Sequence, residues 1–405
     1  MLKIAFMEKD LSPRSGSRRF IYEVTNYLNA QGHEVRCFTL RLDEKTCFPE
    51  FLSLPVKVVP IDAFRSFPSR FLKHAIGRDM DYLWLENQAI LEIGRKVVEW
   101  DPDAAVFHYA GGVWLQPYFY YFKEPVGTVC LHVTPPITGP LALPFQNLTM
   151  RGKLRRVLYR FPPLKNWRAV STGNLGLIIA HSRYLLTEAL KQGVVGSRSS
   201  AMVPLAVNHS EFHPTGEEES FALYLGRIHP HKSLELAVMA MEKTAPDKSL
   251  IIAGDLEPEY LWYKRRLEHT AERIGVSDRF KIVVSPPNEE VVRLMQRCAV
   301  FLFPSTIDTF GLVVLEAMAC GKPVVACNRG GAPELLHGCG FLLEPNVKQW
   351  QRKVKKLLSD PDLRQVTGRK ALERSKMYSW ENTANSLLNV LENFLASTRG
   401  SNHKQ

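Results

Sequence analysis

The chain has 405 residues, 45 % of them hydrophobic and 23 % charged, and carries a formal net charge of +11. A single hydrophobic core usually stops growing at roughly 250–300 residues, so this length favours two domains. The composition is ordinary for a globular protein. The positive charge attracts nucleic acids, anionic membranes and phosphorylated small molecules alike. However, the sequence has no paired-cysteine zinc spacing and no aromatic RNA-binding signature, so we expect no nucleic-acid partner.

Cysteine usage and the absence of apolar segments indicate the compartment. The seven cysteines are scattered and odd in number, which is typical of reduced, buried thiols in a cytoplasmic protein. The first ten residues, MLKIAFMEKD, do not resemble a signal peptide. No stretch approaches the roughly 18–20 apolar residues that a membrane-spanning helix needs. We therefore expect a cytoplasmic protein, soluble or peripherally attached to the inner face of a membrane.

The first elements in chain order predict a parallel sheet. An apolar strand at 2–7 is followed by a loop containing Ser15, Gly16 and Ser17, a helix that ends at Gly32, and a second strand at 34–40. This order is a βαβ unit. Further strands are predicted at 104–108, 126–132 and 175–181, with a helix at 183–192. Alternating strands and helices over some two hundred residues predict an α/β, Rossmann-like domain.

A second α/β series begins near Phe221. Strands are predicted at 221–225, 250–253, 280–284, 300–303 and 323–327, and helices at 234–243, 259–274, 288–296 and 312–319. The polar, turn-prone residues 208–214 suit a linker. A helical pattern follows Trp380. We therefore predict two Rossmann-like domains, at 1–207 and 208–378, followed by a C-terminal helix within 379–405.

Two basic segments interrupt the first domain. Residues 150–168 are rich in Lys and Arg and contain no acid, and residues 64–78 form a weaker counterpart. In both segments the basic residues alternate with aromatic and aliphatic side chains, a pattern that suits an anionic membrane surface. The alternative is a solvated basic helix that packs one apolar edge on its own domain.

The segment 301–336, FLFPSTIDTFGLVVLEAMACGKPVVACNRGGAPELL, carries the strongest chemical signal. A strand ends at Phe303 and a helix begins near Gly311, so free N–H groups at the helix start can meet an anion or sugar hydroxyls. Glu316 lies within the apolar run LVVLEAMAC, where an acid needs a partner or a ligand. The alternative is that Asp308 caps the helix and Glu316 is solvated.

This segment resembles the signature of the retaining glycosyltransferase family four, which has the GT-B fold. The signature is an acid, seven residues and a Glu, followed by EAMACGKPVV and a GG-x-PE loop. Here the first acid is Asp308, where the family usually has Glu. The resemblance implies two Rossmann-like domains that face each other across a cleft, with the final helix crossing back to the N-terminal domain. It also implies transfer of a sugar from a nucleotide sugar with retention at the anomeric carbon.

The resemblance also implies the roles of individual residues. The stretch 221–232, FALYLGRIHPHK, resembles the family's strand–GR–loop–K element, in which Arg227 and Lys232 would hold the donor diphosphate. Glu316 would fix the ribose, and His132 would face the donor sugar. The residues at 134–136, TPP, resemble members that use GDP-mannose. The implied catalytic residues are His132 and Asp308, and the implied donor-binding residues are Gly16, Arg227, Lys232, Thr309, Phe310, Gly311, Leu312 and Glu316.

The same reading implies no metal and no cofactor, since the nucleotide sugar is a substrate. We interpret the acid–x–acid triplets at 79–81, 101–103 and 360–362 as turns and caps, and we expect Glu334 to cap the helix after Gly331 rather than to contact a ligand. The basic N-terminal domain, which holds the acceptor in the family, suggests a glycan or a lipid-linked acceptor.

Three rival functions remain open. The chain could be an epimerase or a phosphorylase on the same fold, although we cannot place the pyridoxal lysine of a phosphorylase. It could be a non-catalytic partner or membrane-binding subunit, because Asp308 and the loop around Gly16, which is usually GG, depart from the family pattern. It could also be a nucleic-acid binder that relies on its charge.

Overall fold

A computed structural model describes residues 1–12, 16–63, 78–109, 129–133, 177–191 and 199–402. The basic segment 150–168, and all of 64–78 except Arg78, lie outside these ranges. The predicted membrane surface therefore lies almost entirely outside the described residues. Among the described residues, no helix is both long and apolar enough to cross a bilayer.

The first sheet has seven strands in the order β3-β2-β1-β4-β5-β6-β7, and all its neighbouring strands are parallel. Apolar runs such as 4–7 and 177–180 are buried throughout, because helices cover both faces of a parallel sheet. The strands are β1 Lys3–Asp10, β2 Glu34–Arg41, β3 Val56–Val58, β4 Ala104–Tyr109, β5 Val129–Val133, β6 Leu177–Ala180 and β7 Ser199–Met202. The helices described in this part are α1 Gly16–Ala30, α2 Arg78–Trp100 and α3 Arg183–Lys191.

The second sheet has six parallel strands in the order β10-β9-β8-β11-β12-β13. They are β8 Phe221–Leu225, β9 Ser249–Gly254, β10 Phe280–Val284, β11 Val300–Phe303, β12 Val324–Cys327 and β13 Phe341–Leu343. The helices are α4 Leu234–Ala240, α5 Leu261–Arg273, α6 Asn288–Arg297, α7 Leu312–Ala319, α8 Ala332–Leu336, α9 Val347–Ser359 and α10 Pro361–Ser375. Residues of α4, α5 and α9 share one core cluster, and residues of α6, α7, α8 and α10 share another.

The strand order of the second sheet places a crevice between β8 and β11. From β8 the chain proceeds outward to β9 and β10, and it then returns to β11 on the other side of β8. In open α/β sheets, such a reversal creates a ligand-binding crevice at the carboxyl ends of the two central strands. The loops at 226–233 and 304–311 meet at this crevice, and both contain residues that the sequence predicts for the donor site.

The final helix, α11 Trp380–Asn402, crosses back onto the first part of the chain, as predicted. The Thr383 hydroxyl donates to the Pro204 carbonyl at 2.9 Å, and the Asn385 side chain donates to the Tyr27 hydroxyl of α1 at 3.3 Å. Leu387 and Leu391 are fully buried in the cluster that contains α1. The two-domain α/β architecture is therefore confirmed, whereas the domain boundaries near 207 and 378 stay predictions.

The cysteines outside β5 agree with the expectation of buried thiols. Cys37, Cys47, Cys298, Cys320, Cys327 and Cys339 are free and buried. The side chain of Cys130 lies outside the described residues. Burial raises the pKa of Cys298 to about 12 and that of Cys320 well above its usual range, so both thiols are protonated at neutral pH.

Candidate active site

The loop between β11 and α7, residues 304–311, is shaped by glycines. Gly311, at the N-cap of α7, has a φ of 93°. A Cβ added to Gly330 would lie 2.4 Å from the Asp308 carbonyl oxygen, and one added to Gly331 would lie 2.6 Å from the Phe310 Cα. The Gly331 N–H donates to the Asp308 carbonyl at 2.9 Å. The GG turn at 330–331 therefore packs directly against the backbone of 308–310, and this contact fixes the position of that backbone.

Asp308 and Lys232 form an ion pair across the crevice. The Lys232 Nζ lies 2.5 Å from the Asp308 Oδ2, and the side chains are 12 % and 20 % exposed. Gly311 at the start of α7 has no side-chain cap, so the alternative in which Asp308 caps the helix is wrong. Lys232 follows β8 and Asp308 follows β11, and the pair therefore joins the two central loops of the crevice.

Arg227 lies on the same loop as Lys232 but has a different partner. Its side chain is 46 % exposed, and its Nη1 lies 4.0 Å from the Glu257 Oε1. Such a long, exposed contact contributes little stability, so the guanidinium can turn towards a ligand at low cost. The structure therefore places Arg227 at the rim of the crevice and Lys232 inside it.

Two histidines form the interior of this loop. The rings of His229 and His231 lie 4.0 Å apart, and His229 also lies 4.1 Å from Tyr260. Burial, followed by the charges of Arg227 and Lys232, lowers the pKa of His229 to about 4. Burial and the same two cations, together with His229, lower the pKa of His231 to about 2. Both rings are neutral at pH 7 and stiffen the loop without adding charge.

Glu316 lies on α7 and is partly buried. The pKa of its carboxyl is raised to about 7, chiefly by burial; the charge of Arg19 opposes this rise and the charge of Glu211 adds to it. Arg19 belongs to α1 and also pairs with Glu211 at 2.8 Å. Among the described residues, no hydrogen bond to the Glu316 carboxylate is formed. The expectation that this acid needs a partner or a ligand is thus met only in part, by the distant charge of Arg19.

The start of α1 faces the start of α7. A Cβ added to Gly16, the first residue of α1, would lie 2.3 Å from the Leu312 Cδ1. The N-terminal ends of two helices, one from each half of the chain, therefore meet at the crevice. Because helix N-termini carry partial positive charge, this arrangement favours an anionic ligand.

His132 lies on β5, where its Cα pairs with His108 of β4 and Ile179 of β6. Its side chain lies outside the described residues, so its role towards the donor sugar stays a prediction. His108 is buried, and its ring packs 5.4 Å from that of Phe20. Burial lowers the pKa of His108 well below its usual range. His108 therefore belongs to the core as a neutral side chain.

Thr309, Phe310 and Glu334 mediate contacts between the two halves of the chain. The Ser182 hydroxyl donates to the Thr309 carbonyl at 2.6 Å. The Phe310 ring is buried against His181 at 6.4 Å, so its backbone, rather than its ring, faces the crevice. The Glu334 carboxylate accepts the backbone N–H groups of α3. Glu334 is therefore a structural cap, as expected, but the helix that it caps is α3 of the other domain rather than its own.

Sequence reasoning missed several charged residues near the crevice. Glu8 at the end of β1 is 4 % exposed, and burial raises its pKa to about 7. The Arg18 Nη2 lies 3.2 Å from the Glu8 Oε1. Glu8 follows the apolar run 4–7, but Lys9 and Asp10 come directly after it, so its signal in the sequence is weaker than that of Glu316. Arg19 and Glu211 carry no local signal, because only the fold brings them together.

The described part of the chain offers no candidate metal site. Within the described ranges, no group of three or more His, Cys, Asp or Glu side chains could hold a metal ion. Asp360 caps α10 by accepting the Leu363 N–H at 2.9 Å, as predicted for that triplet. Asp103 accepts the Lys3 N–H at 2.9 Å. The independence of the activity from metal ions stays a prediction.

Comparison with known proteins matches the second domain to a family of glycosyltransferases. Residues 208–374 match the model for glycosyl transferases group 1. D-inositol 3-phosphate glycosyltransferase from Segniliparus rotundus is 29 % identical over 216 residues, which is 51 % of this chain and 44 % of that protein. The chain thus spans about half the length of the curated relatives it matches.

Solved structures show the same fold over nearly the whole chain. Sucrose-phosphate synthase from Thermosynechococcus elongatus matches 98 % of this chain and all of its own with a TM-score of 0.74, at 19 % identity. HepE from Anabaena, in complex with UDP-glucose, matches 97 % of this chain and all of its own with a TM-score of 0.71, at 18 % identity. Residues 208–374 thus match glycosyl transferases group 1, and the chain as a whole, with its two facing Rossmann-like domains, has the GT-B fold.

Proposed function

We propose that the protein is a retaining glycosyltransferase that moves a hexosyl group from a nucleotide sugar to a hydroxyl of a glycan or lipid-linked acceptor. One observation carries the proposal: Lys232, Asp308 and the start of α7 meet at the β8–β11 crevice, opposite the start of α1. The family match and the UDP-glucose complex of HepE support it.

The crevice suits a diphosphate. Lys232 and the start of α7 provide fixed positive charge inside it, and Arg227 can reach it from the rim. Such preorganised charge stabilises a leaving diphosphate as negative charge develops on it. In the ligand-free chain Asp308 neutralises Lys232. A diphosphate would take its place and leave the Asp308 carboxylate available to the hydroxyls of the sugar.

Glu316 would bind the ribose. Acidic side chains hold ribose hydroxyls in other Rossmann-like sites. The ionised carboxylate is disfavoured in the empty site, and it lacks hydrogen-bond donors among the described residues. Two hydroxyl donors would supply what this site lacks. Binding of the ribose would therefore offset the free-energy cost of keeping the Glu316 carboxylate buried without hydrogen-bond donors.

For the chemical step we propose same-face transfer, in which the departing diphosphate accepts the proton of the acceptor hydroxyl. His132 would face the sugar from the N-terminal domain. Closure of the domains would exclude water and limit hydrolysis of the donor. No metal ion has a role in this scheme, because Arg227, Lys232 and the helix start neutralise the diphosphate.

Because residues 134–136 resemble those of members that use GDP-mannose, we propose GDP-mannose ahead of UDP-sugars as the donor. The UDP-glucose complex of HepE makes UDP-glucose the first competitor. We also propose peripheral attachment to an anionic membrane through 64–78 and 150–168. Co-sedimentation with vesicles that contain phosphatidylglycerol, compared with neutral vesicles, tests this attachment.

The donor is found by thermal shift against a panel of nucleotide sugars, and turnover by release of the nucleoside diphosphate. We expect one donor to raise the melting temperature and the diphosphate to be released with that donor. Glu344→Gln is a matched control for site variants, because Glu344 is an exposed acid of the same domain whose carboxylate, among the described residues, contacts Arg329 and Asn328. A donor that binds without any release, with or without acceptors, would favour a non-catalytic subunit. Failure of every nucleotide sugar to bind would refute the proposal.

A further inference from the structure

Glu334 and Ser182 link the two domains at the start of α3. The Glu334 Oε2 accepts the Arg183 N–H at 3.1 Å, and its Oε1 accepts the Tyr184 N–H at 3.0 Å. The Ser182 hydroxyl donates to the Thr309 carbonyl at 2.6 Å and accepts the Leu185 N–H at 3.1 Å. Ser182 and α3 follow β6 of the first sheet, whereas Glu334 and Thr309 belong to the second domain. We call Ser182 and Glu334 the interdomain latch.

The interdomain latch works through the free backbone N–H groups at the start of α3. The first N–H groups of a helix have no partner within the helix, and the partial positive charge there favours a carboxylate. Most helices satisfy these groups with a side chain from the preceding residues. In α3, Ser182 caps one N–H group locally, and the acid that caps two others comes from the opposite domain. The start of α3 is therefore fully satisfied only when the domains are docked.

The latch is also connected to the predicted donor loop. Ser182 holds the carbonyl of Thr309, and the Gly331 N–H holds the carbonyl of Asp308. The Glu334 N–H in turn donates to the Gly331 carbonyl at 3.1 Å. A movement of Asp308 or Thr309 on ligand binding would therefore displace Ser182 directly and Glu334 through Gly331.

The second domain holds Glu334 rigidly. The Arg374 guanidinium donates to the carbonyls of Glu334 at 2.8 Å and of Leu335 at 2.6 Å. Arg374 lies near the end of α10, just before the chain crosses back, where the Tyr378 carbonyl accepts the Val207 N–H at 3.2 Å. Glu334 is thus held by the end of α10, next to the segment that returns to the first domain.

We infer that Glu334 and Ser182 are positioning residues that dock the N-terminal domain over the donor loop in the orientation that transfer requires. The inference deepens the proposed function and rests on it for its kinetic consequence. The docked geometry, in contrast, can be tested without any ligand. The latch residues do not have to touch the donor, because they act through α3 and through the backbone of 308–309.

Amide hydrogen exchange of the ligand-free protein tests the docking. In Glu334→Ala, peptides covering residues 181–187 should exchange several-fold faster than in the wild type. In Glu344→Gln they should not change. Glu334→Gln keeps one acceptor oxygen and should lie between the wild type and the alanine variant. It also serves as the test if the alanine variant does not fold. Unchanged exchange in both Glu334 variants would overturn the latch.

Kinetics then separate positioning from donor binding. In Glu334→Ala we expect kcat to fall about tenfold, the effect of losing the two charge-assisted hydrogen bonds that favour the productive state. The Kd for the nucleoside diphosphate should stay within about twofold of the wild-type value, since the lost bonds run to the other domain and do not touch the donor. Ser182→Ala combined with Glu334→Ala should cost less than the sum of the two single effects.

A parallel loss of nucleotide affinity and kcat would contradict a positioning role, and so would an unchanged kcat. If the wild type binds no nucleotide sugar, the proposed function fails, while the exchange data still decide whether the latch exists.

Discussion

Replacing Glu316 with Gln should make the empty protein more stable and, at the same time, weaken its binding of the donor. Burial raises the pKa of this carboxyl from 4.5 to about 7. The folded chain therefore resists ionising a group that ionises freely in the unfolded chain. Gln has nearly the same shape and cannot ionise, so the variant removes this cost.

The magnitude follows from the linkage between pKa and stability. Between pH 4.5 and 7 the folded state binds more protons at Glu316 than the unfolded state does. The free energy of unfolding therefore falls as the pH rises through this window, and the effect is constant above it. A pKa that rises from 4.5 to about 7 corresponds to at most about 3 kcal/mol. We expect a gain of about 1–3 kcal/mol for the variant above pH 7, because structural relaxation reduces the full value.

Urea unfolding of the wild type and Glu316→Gln, at about pH 5 and about pH 8, measures the effect. The variant should gain little at the lower pH and most at the higher. Glu8 has a similarly raised pKa, but it is present in both proteins and cancels from the difference. Glu344→Gln should show no such pH dependence. A variant that is equally or less stable than the wild type at about pH 8 would refute the claim that the buried, ionised Glu316 destabilises the folded protein.

Three further predictions follow from the same contacts. Lys232→Ala should weaken the binding of nucleoside diphosphates about ten- to hundredfold while nucleosides bind as before, because it removes a charge-assisted contact to the phosphates; equal losses for both ligands in calorimetry would contradict this. Gly330→Ala should destabilise the fold by about 2 kcal/mol or more beyond Gly338→Ala, as measured by thermal unfolding. The Cβ added at Gly330 would lie 2.4 Å from the Asp308 backbone, whereas nothing lies within 4 Å of a Cβ added at Gly338. Equal losses of stability in the two variants would show that the GG turn does not pack tightly against the loop. Activity should be unchanged in excess chelator, and loss restored by Mn²⁺ or Mg²⁺ would revive a metal-dependent mechanism.

The second domain could be predicted from the sequence almost strand by strand. Its central strands are short apolar runs that end at turn residues, and β8, β10, β11 and α7 have the predicted bounds. The crevice was also predictable, because the loops after β8 and β11 carry the charged residues. The elements that were missed include the strand β13, because it has only three residues, and the basic helix α9, because its Lys and Arg residues obscure its apolar pattern.

Contacts between the domains could not be predicted, because they join residues far apart in the sequence. Arg19 and Glu211 are separated by 192 positions, and the Tyr184 N–H and Glu334 by 150. The acid of the GG-x-PE loop illustrates the limit. Its role as a helix cap was correctly expected, but the sequence around it points to the nearest helix. Only the docked fold shows that the capped helix is α3.

The central claim is that the donor binds at the β8–β11 crevice and is held by Glu316. Calorimetric titration of the wild type, Glu316→Gln and Glu344→Gln with the preferred nucleotide sugar tests it most directly. We predict that Glu316→Gln weakens binding at least about tenfold, the effect of losing charge-assisted hydrogen bonds to the ribose, while Glu344→Gln binds as the wild type does. Equal affinity in all three proteins would place the donor elsewhere and contradict the account.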